Sequence, residues 1–109
     1  MSDLLTKKCV PCEKWTPSLK GEKITSYLAE LKNSWEVVDE KQIRYTFKFK
    51  TFPESVAFVD KIVPVAEGEG HHPDITIVYN KVTITLWTHF IKGLTENDFI
   101  LAAKIEALL

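Results

Sequence analysis

The chain has 109 residues, 45% of them hydrophobic and 27% charged, with a formal net charge of −1. This suits one globular domain and excludes a disordered chain; the balanced charge gives no electrostatic case for direct contact with nucleic acid or an anionic membrane. No apolar run approaches the roughly 20 residues that span a bilayer, and the opening MSDLLTKKCVPCEKW lacks the apolar core of a signal peptide, so a cytoplasmic protein is expected.

Residues 1–20 read as an irregular N-terminal arm, broken by Pro11 and Pro17, ahead of a domain over 21–109. Cys9 and Cys12 form a C-x-x-C pair inside that arm. A redox pair wants a strand before it and a helix start at it, and a closed zinc site wants four ligands. Neither context surrounds CVPC, which favours reduced thiols in a local turn.

From Gly21 the pattern becomes helical: Ile24, Tyr27, Leu28 and Leu31 fall on one amphipathic face. WEVVDE reads as a strand and QIRYTFKFK as a clearer one. In the latter Ile43, Tyr45, Phe47 and Phe49 alternate with Arg44, Thr46, Lys48 and Lys50, as in a half-buried antiparallel strand. Pro53 suits the first turn of a second helix, with Phe52, Val56, Val59 and Val63 as its apolar stripe. Pro64 should kink that helix or end it early, and Gly68 and Gly70 are natural stops. Two strands follow, at about 74–79 and 82–89. Thr95 with Asp98 then gives a start like a capping box for a last helix carrying Leu101, Ile105 and Leu108. The order α-β-β-α-β-β-α predicts a single α+β domain, a four-stranded antiparallel sheet with helices packed on one face.

The third and fourth strands gather all three histidines of the chain, His71, His72 and His89. A two-residue loop at Asn80-Lys81 would pair Tyr79 with Val82, Ile77 with Ile84 and Ile75 with Leu86, all apolar and on one face. The other face carries Asp74 and Trp87, and two residues further on it His72 falls opposite His89. Directly paired positions have Cα atoms about 4.5–5.5 Å apart. Pro73 favours the extended geometry this needs at His72; the direction of His71 is left open.

Imidazoles accept or donate protons near neutral pH, so the cluster fits acid–base chemistry at a group that must lose water. A three-histidine metal centre of hydrolytic type is the rival. It is disfavoured because adjacent residues of an extended chain point to opposite faces, although a bend at EGEGHH would relieve this. No Ser or Cys is placed as an activated nucleophile, and EGEG lacks the spacing and lysine of a phosphate loop.

The run EGEGHHP, with Tyr79, His89 and Asp98 at their spacings, resembles the signature of pterin-4a-carbinolamine dehydratases. The resemblance covers Glu67 through Asp98, and the element order extends it over nearly the whole chain. It implies a small α+β protein that dehydrates 4a-hydroxytetrahydropterin to the quinonoid dihydropterin, without metal or bound organic cofactor. It also implies a metabolic link to aromatic amino-acid hydroxylases, which form the carbinolamine. By the same resemblance His71, His72 and His89 are the active-site histidines. His71 and His72 are the expected acid–base pair, with His89 in support. Glu67, Pro73, Trp35 and Trp87 are the expected substrate-binding residues. Glu67 reads equally as a solvated residue or as one orienting a histidine. Trp35 reads equally as a flat surface for the pterin ring or as core packing. Asp98 is read as the cap of the last helix. A homodimer or homotetramer is expected, the tetramer put in doubt by Pro64. The alternative function the resemblance brings is a protein-binding one, a dimerisation cofactor or transcriptional coactivator.

Overall fold

The computed structural model describes residues 4–9 and 17–109. In chain order it contains a short 3₁₀ helix at Leu4–Thr6, α1 (Glu22–Leu28), β1 (Glu36–Val38), β2 (Gln42–Lys48), α2 (Phe52–Glu69), β3 (Asp74–Val78), β4 (Lys81–Leu86) and α3 (Glu96–Glu106). The four strands form one antiparallel sheet in the order β1-β2-β4-β3. This is the expected α+β architecture.

Alternation along the central strands builds the core. Ile43 and Phe47 of β2 and Val82, Ile84 and Leu86 of β4 are buried on the face that meets the helices. Phe58, Ile62 and Ala66 of α2 and Phe99, Ile100, Leu101 and Ile105 of α3 fill the space opposite. α1 is one turn shorter than its apolar spacing implies, yet Leu31 beyond its end is still buried. The described parts of the N-terminal arm, 4–9 and 17–20, meet this core: Leu4 is 1% exposed, the Leu19 N–H donates to Leu94 O at 2.7 Å, and the Cys9 N–H donates to Glu69 Oε1 at 2.8 Å. Cys12 lies outside the described residues, so the C-x-x-C reading is not reached.

Two expectations are corrected. α2 does not end at Pro64 but continues to Glu69, where Gly70 caps it in the left-handed region at φ 65°. Pro64 faces solvent, while Phe58 and Ile62 before it and Ala66 after it are anchored in the core. Packing on both sides thus holds the helix across the missing N–H.

The second correction concerns the hairpin. Its loop is Tyr79-Asn80, with Val78 paired to Lys81, Ile77 to Val82, Ile75 to Ile84 and Asp74 to Thr85. Tyr79 takes the positive φ, 52°. Asn80 is held by the end of β2, its Nδ2 donating to Phe49 O at 2.9 Å and its carbonyl accepting the Phe49 N–H at 2.7 Å. Moving the loop back one residue moves every partner by two. The apolar set stays on its face, and the strands stop at Val78 and Leu86, short of the expected ends. Continued past Asp74, this register sets His72 across from Trp87, not from His89.

Candidate active site

The site begins at the end of α2. The N–H of Gly70 donates back to Glu67 O at 3.3 Å, and the N–H of His71 to Ala66 O at 3.3 Å. These bonds close off the last turn and send the chain toward the start of α3. His71 arrives there with Nε2 2.6 Å from Oδ1 of Asp98. The ring is only 12% exposed and the carboxyl group fully buried. Asp98 is the third residue of α3, and its Oδ2 accepts the Thr95 N–H at 2.9 Å, the reciprocal half of the capping box. The same oxygen accepts the Thr88 hydroxyl at 2.9 Å. Thr88 is held just past β4 by its bridge to Gly93, N to O 2.8 Å. The imidazole–carboxylate pair is therefore assembled from three element ends.

His72 turns back to α2, where its Nε2 meets Glu67 Oε2 at 2.5 Å, both side chains more than half exposed. Glu67 is thus both in contact with a histidine and open to solvent. His72 and Glu67 border a hollow of about 220 Å³ whose other walls are Ile62, Val63, Ala66, Pro73 and Ile75.

His89 follows β4 in the turn between Thr88 and Gly93. Its ring lies edge-on to Trp87, centroids 4.3 Å apart, with Nε2 3.7 Å from Asp74 Oδ1. The Trp87 indole N–H donates to Asp74 Oδ2 at 3.0 Å. The expected association of Asp74 with Trp87 thus persists as a diagonal contact, although the Cα partner of Asp74 is Thr85.

Each imidazole has its own carboxylate: Asp98 for His71, Glu67 for His72, Asp74 for His89. The segment His71–Asp74 ties them together, since its two histidines and its aspartate take part in all three pairs. Trp35 is not among these contacts. It is 5% exposed, packs against Tyr45 and Phe47, and donates its indole N–H to Glu106 at 2.9 Å. Among the described residues no group of three or more His, Cys, Asp or Glu side chains is arranged to hold a metal ion.

A charged cluster flanks the His71 turn. Glu69 accepts from Lys104 Nζ at 2.5 Å as well as from the Cys9 N–H. The Lys104 hydrogen bond, helped by the Cys9 N–H, holds the Glu69 carboxyl below the usual range. Burial, with the Glu69 charge second, pushes the Cys9 thiol up to about 12. Sequence reasoning missed this cluster, as it missed Thr88 and the second task of Asp98. The one available signal was Thr88 itself, a hydroxyl at an inward-pointing position next to a histidine.

A family profile described as pterin 4 alpha carbinolamine dehydratase matches residues 17–108. The chain belongs to the pterin-4a-carbinolamine dehydratase family. A relative from Alkaliphilus metalliredigens (strain QYMF), provisionally named as such a dehydratase, is 43% identical over 106 residues, 97% of this chain and 96% of its own. A crystal structure from Brucella melitensis, titled transcriptional coactivator/pterin dehydratase, superposes with a TM-score of 0.78 at 34% identity, covering 84% of this chain and 98% of that one. Another structure, titled a pterin dehydratase-like protein identified as a RuBisCO assembly factor in the alpha-carboxysome, gives 0.60 at 26% identity over 71% of this chain and 90% of its own. The profile takes in every residue of the three imidazole–carboxylate pairs.

Proposed function

We propose that this protein dehydrates 4a-hydroxytetrahydropterin to the quinonoid dihydropterin by histidine acid–base catalysis. The observation that carries the reading is the set of three imidazoles, each backed by a carboxylate, on and around His71–Asp74. The C4a hydroxyl is a poor leaving group until an acid protonates it. As the C4a–O bond breaks, the N5 lone pair forms the new C=N bond and water departs. A base then takes the N5 proton, so the net change is loss of one water. His71 and His72 are the acid and the base, in opposite protonation states, and each such group contributes about 10²–10⁴-fold. His89, against Trp87, orients the ring, and Glu67 and Pro73 shape the wall beside His72. No residue in this scheme requires a metal or an organic cofactor.

The class of reaction that supplies the substrate is an aromatic amino-acid hydroxylation, which leaves the carbinolamine behind. Among the described residues no helix is long and apolar enough to cross a membrane. β1 and β3 are sheet edges, and pairing one of them with a second copy would protect it in a homodimer or homotetramer.

The test is direct. Chemically generated 4a-hydroxytetrahydropterin should lose water faster with micromolar protein than in buffer, and His71→Ala and His72→Ala should each lower that rate. Equal rates with and without protein reject the enzyme.

A second reading, a protein-binding role, draws on the coactivator and assembly-factor names of the two structural relatives and on Phe52, Val56 and Val63, which α2 leaves exposed. A stoichiometric protein partner retained by inactive His71→Ala would favour it.

A further inference from the structure

We infer that Thr88 and Thr95 are positioning residues that fix the tautomer of His71, leaving Nδ1 as its proton-accepting atom. The inference rests on the acid–base role proposed for His71 and deepens it. Thr88, Thr95 and Asp98 are all buried, at 5%, 7% and 0% exposure. Thr88 has one hydroxyl proton, and that proton goes to Asp98 Oδ2 at 2.9 Å. The 2.9 Å contact between the Thr88 and Thr95 hydroxyls must then run from Thr95 as donor to Thr88 as acceptor. Hydroxyl donation therefore passes in one direction, Thr95 to Thr88 to Asp98. The Thr95 N–H adds a second donor to the same oxygen at 2.9 Å.

This leaves Asp98 with Oδ2 fully occupied by donors and only Oδ1 facing His71. Asp98 also lies in the first turn of α3, where the helix end favours negative charge. A carboxylate oxygen only accepts, so the atom 2.6 Å away, Nε2 of His71, carries the proton. The lone pair of the neutral ring is then on Nδ1. Without the two hydroxyls only the Thr95 N–H still holds Oδ2, so the carboxylate turns more easily and fixes the orientation and tautomer of the ring less tightly. Thr88 does not touch a substrate in this arrangement; it acts through Asp98 and His71.

The experiment uses the full chain labelled with ¹⁵N in its histidines. The His71 imidazole of the wild type should show the shift pattern of an Nε2–H ring. Thr88→Val, which keeps the side-chain shape and removes the hydroxyl, should mix in the other tautomer. It should also lower kcat by about tenfold, the effect of one lost hydrogen bond, with KM changed by less than roughly twofold. Thr88→Ser should restore both. A wild-type His71 protonated on Nδ1 overturns the inference by itself, even if Thr88→Val fails to fold. So does a Thr88→Val protein with unchanged tautomer and unchanged kcat. The tautomer is read without turnover, so a wild type that does not dehydrate the pterin would reject the proposed function without deciding this point.

Discussion

His71 and Asp98, 27 positions apart in sequence, meet at 2.6 Å, and the same carboxylate caps the helix that carries it through the Thr95 N–H. Asp98→Asn separates the two tasks. The amide oxygen can keep the Thr95 and Thr88 donors, which leaves the NH₂ facing Nε2 of His71. Two donors then confront each other unless the ring changes tautomer. Dehydration should fall by about 10²–10⁴-fold, while stability drops by no more than about 0.5–2 kcal/mol, the range of a weakened cap. Single-turnover kinetics and thermal denaturation measure the two separately. Near-normal turnover in a folded Asp98→Asn protein would remove His71–Asp98 from the chemistry.

Trp35 reads from sequence as either a ring surface or a core residue, and its surroundings favour the core. Glu106 is buried and accepts four N–H groups: Lys32 N at 2.9 Å, Asn33 N at 2.7 Å, Asn33 Nδ2 at 2.9 Å and Trp35 Nε1 at 2.9 Å. Trp35→Phe withdraws one donor from a buried carboxylate, at a cost of about 1–3 kcal/mol. The denaturation midpoint should fall, and the pterin KM should stay within roughly twofold. A raised KM at unchanged stability would return Trp35 to the substrate.

The helices and strands were legible because their apolar periods are long and regular, as in Ile43–Phe49 and Phe52–Val63. The hairpin register was not, for a physical reason. Side chains alternate with a period of two, so a two-residue shift leaves Ile75, Ile77, Val82 and Ile84 on the same face. Apolar pattern selects the face, and the contacts of Asn80 with Phe49 select among the registers that share it. Leu4 could not be placed because two adjacent leucines in a short polar arm set no period. The site was legible as a set of histidines but not as pairs. Glu67, Asp74 and Asp98 are ordinary acidic residues until the chain turns at Gly70 and Thr88 bring them to the rings.

Cys9 and Glu69 should give stability a dependence on pH at both ends. The Cys9 thiol is raised from an ordinary 9.0 to about 12, so the folded chain keeps a proton that the unfolded chain loses. Its contribution is complete below pH 9 and is lost as pH rises from 9 toward 12. Glu69 is shifted down from 4.5, chiefly by Lys104, so its contribution is present above that value and is lost as pH falls below it. Urea midpoints measured across pH should therefore decline at both extremes. Cys9→Ala should flatten the alkaline side alone, whereas Glu69→Gln should flatten the acid side and, by removing the second cause of the Cys9 shift, also soften the alkaline one. Unaltered profiles in the two variants would place the titrating groups elsewhere.

Pro64 is exposed in the middle of an 18-residue helix. It denies the helix one N–H, and its ring crowds the carbonyl one turn back. In a helix interior this costs about 3 kcal/mol relative to alanine, offset by the ~0.4–1 kcal/mol that proline gains by restricting the unfolded chain. Pro64→Ala should thus stabilise the protein by about 2 kcal/mol, read from the denaturant midpoint. The neighbouring Val63 is 52% exposed and Val56 36%, so this side of α2 offers apolar surface to a second copy. Sedimentation of the same variant gives the oligomeric state. If Pro64→Ala loses stability and also dissociates, the ring is packed against another subunit, and the strain in the isolated helix is offset by that contact.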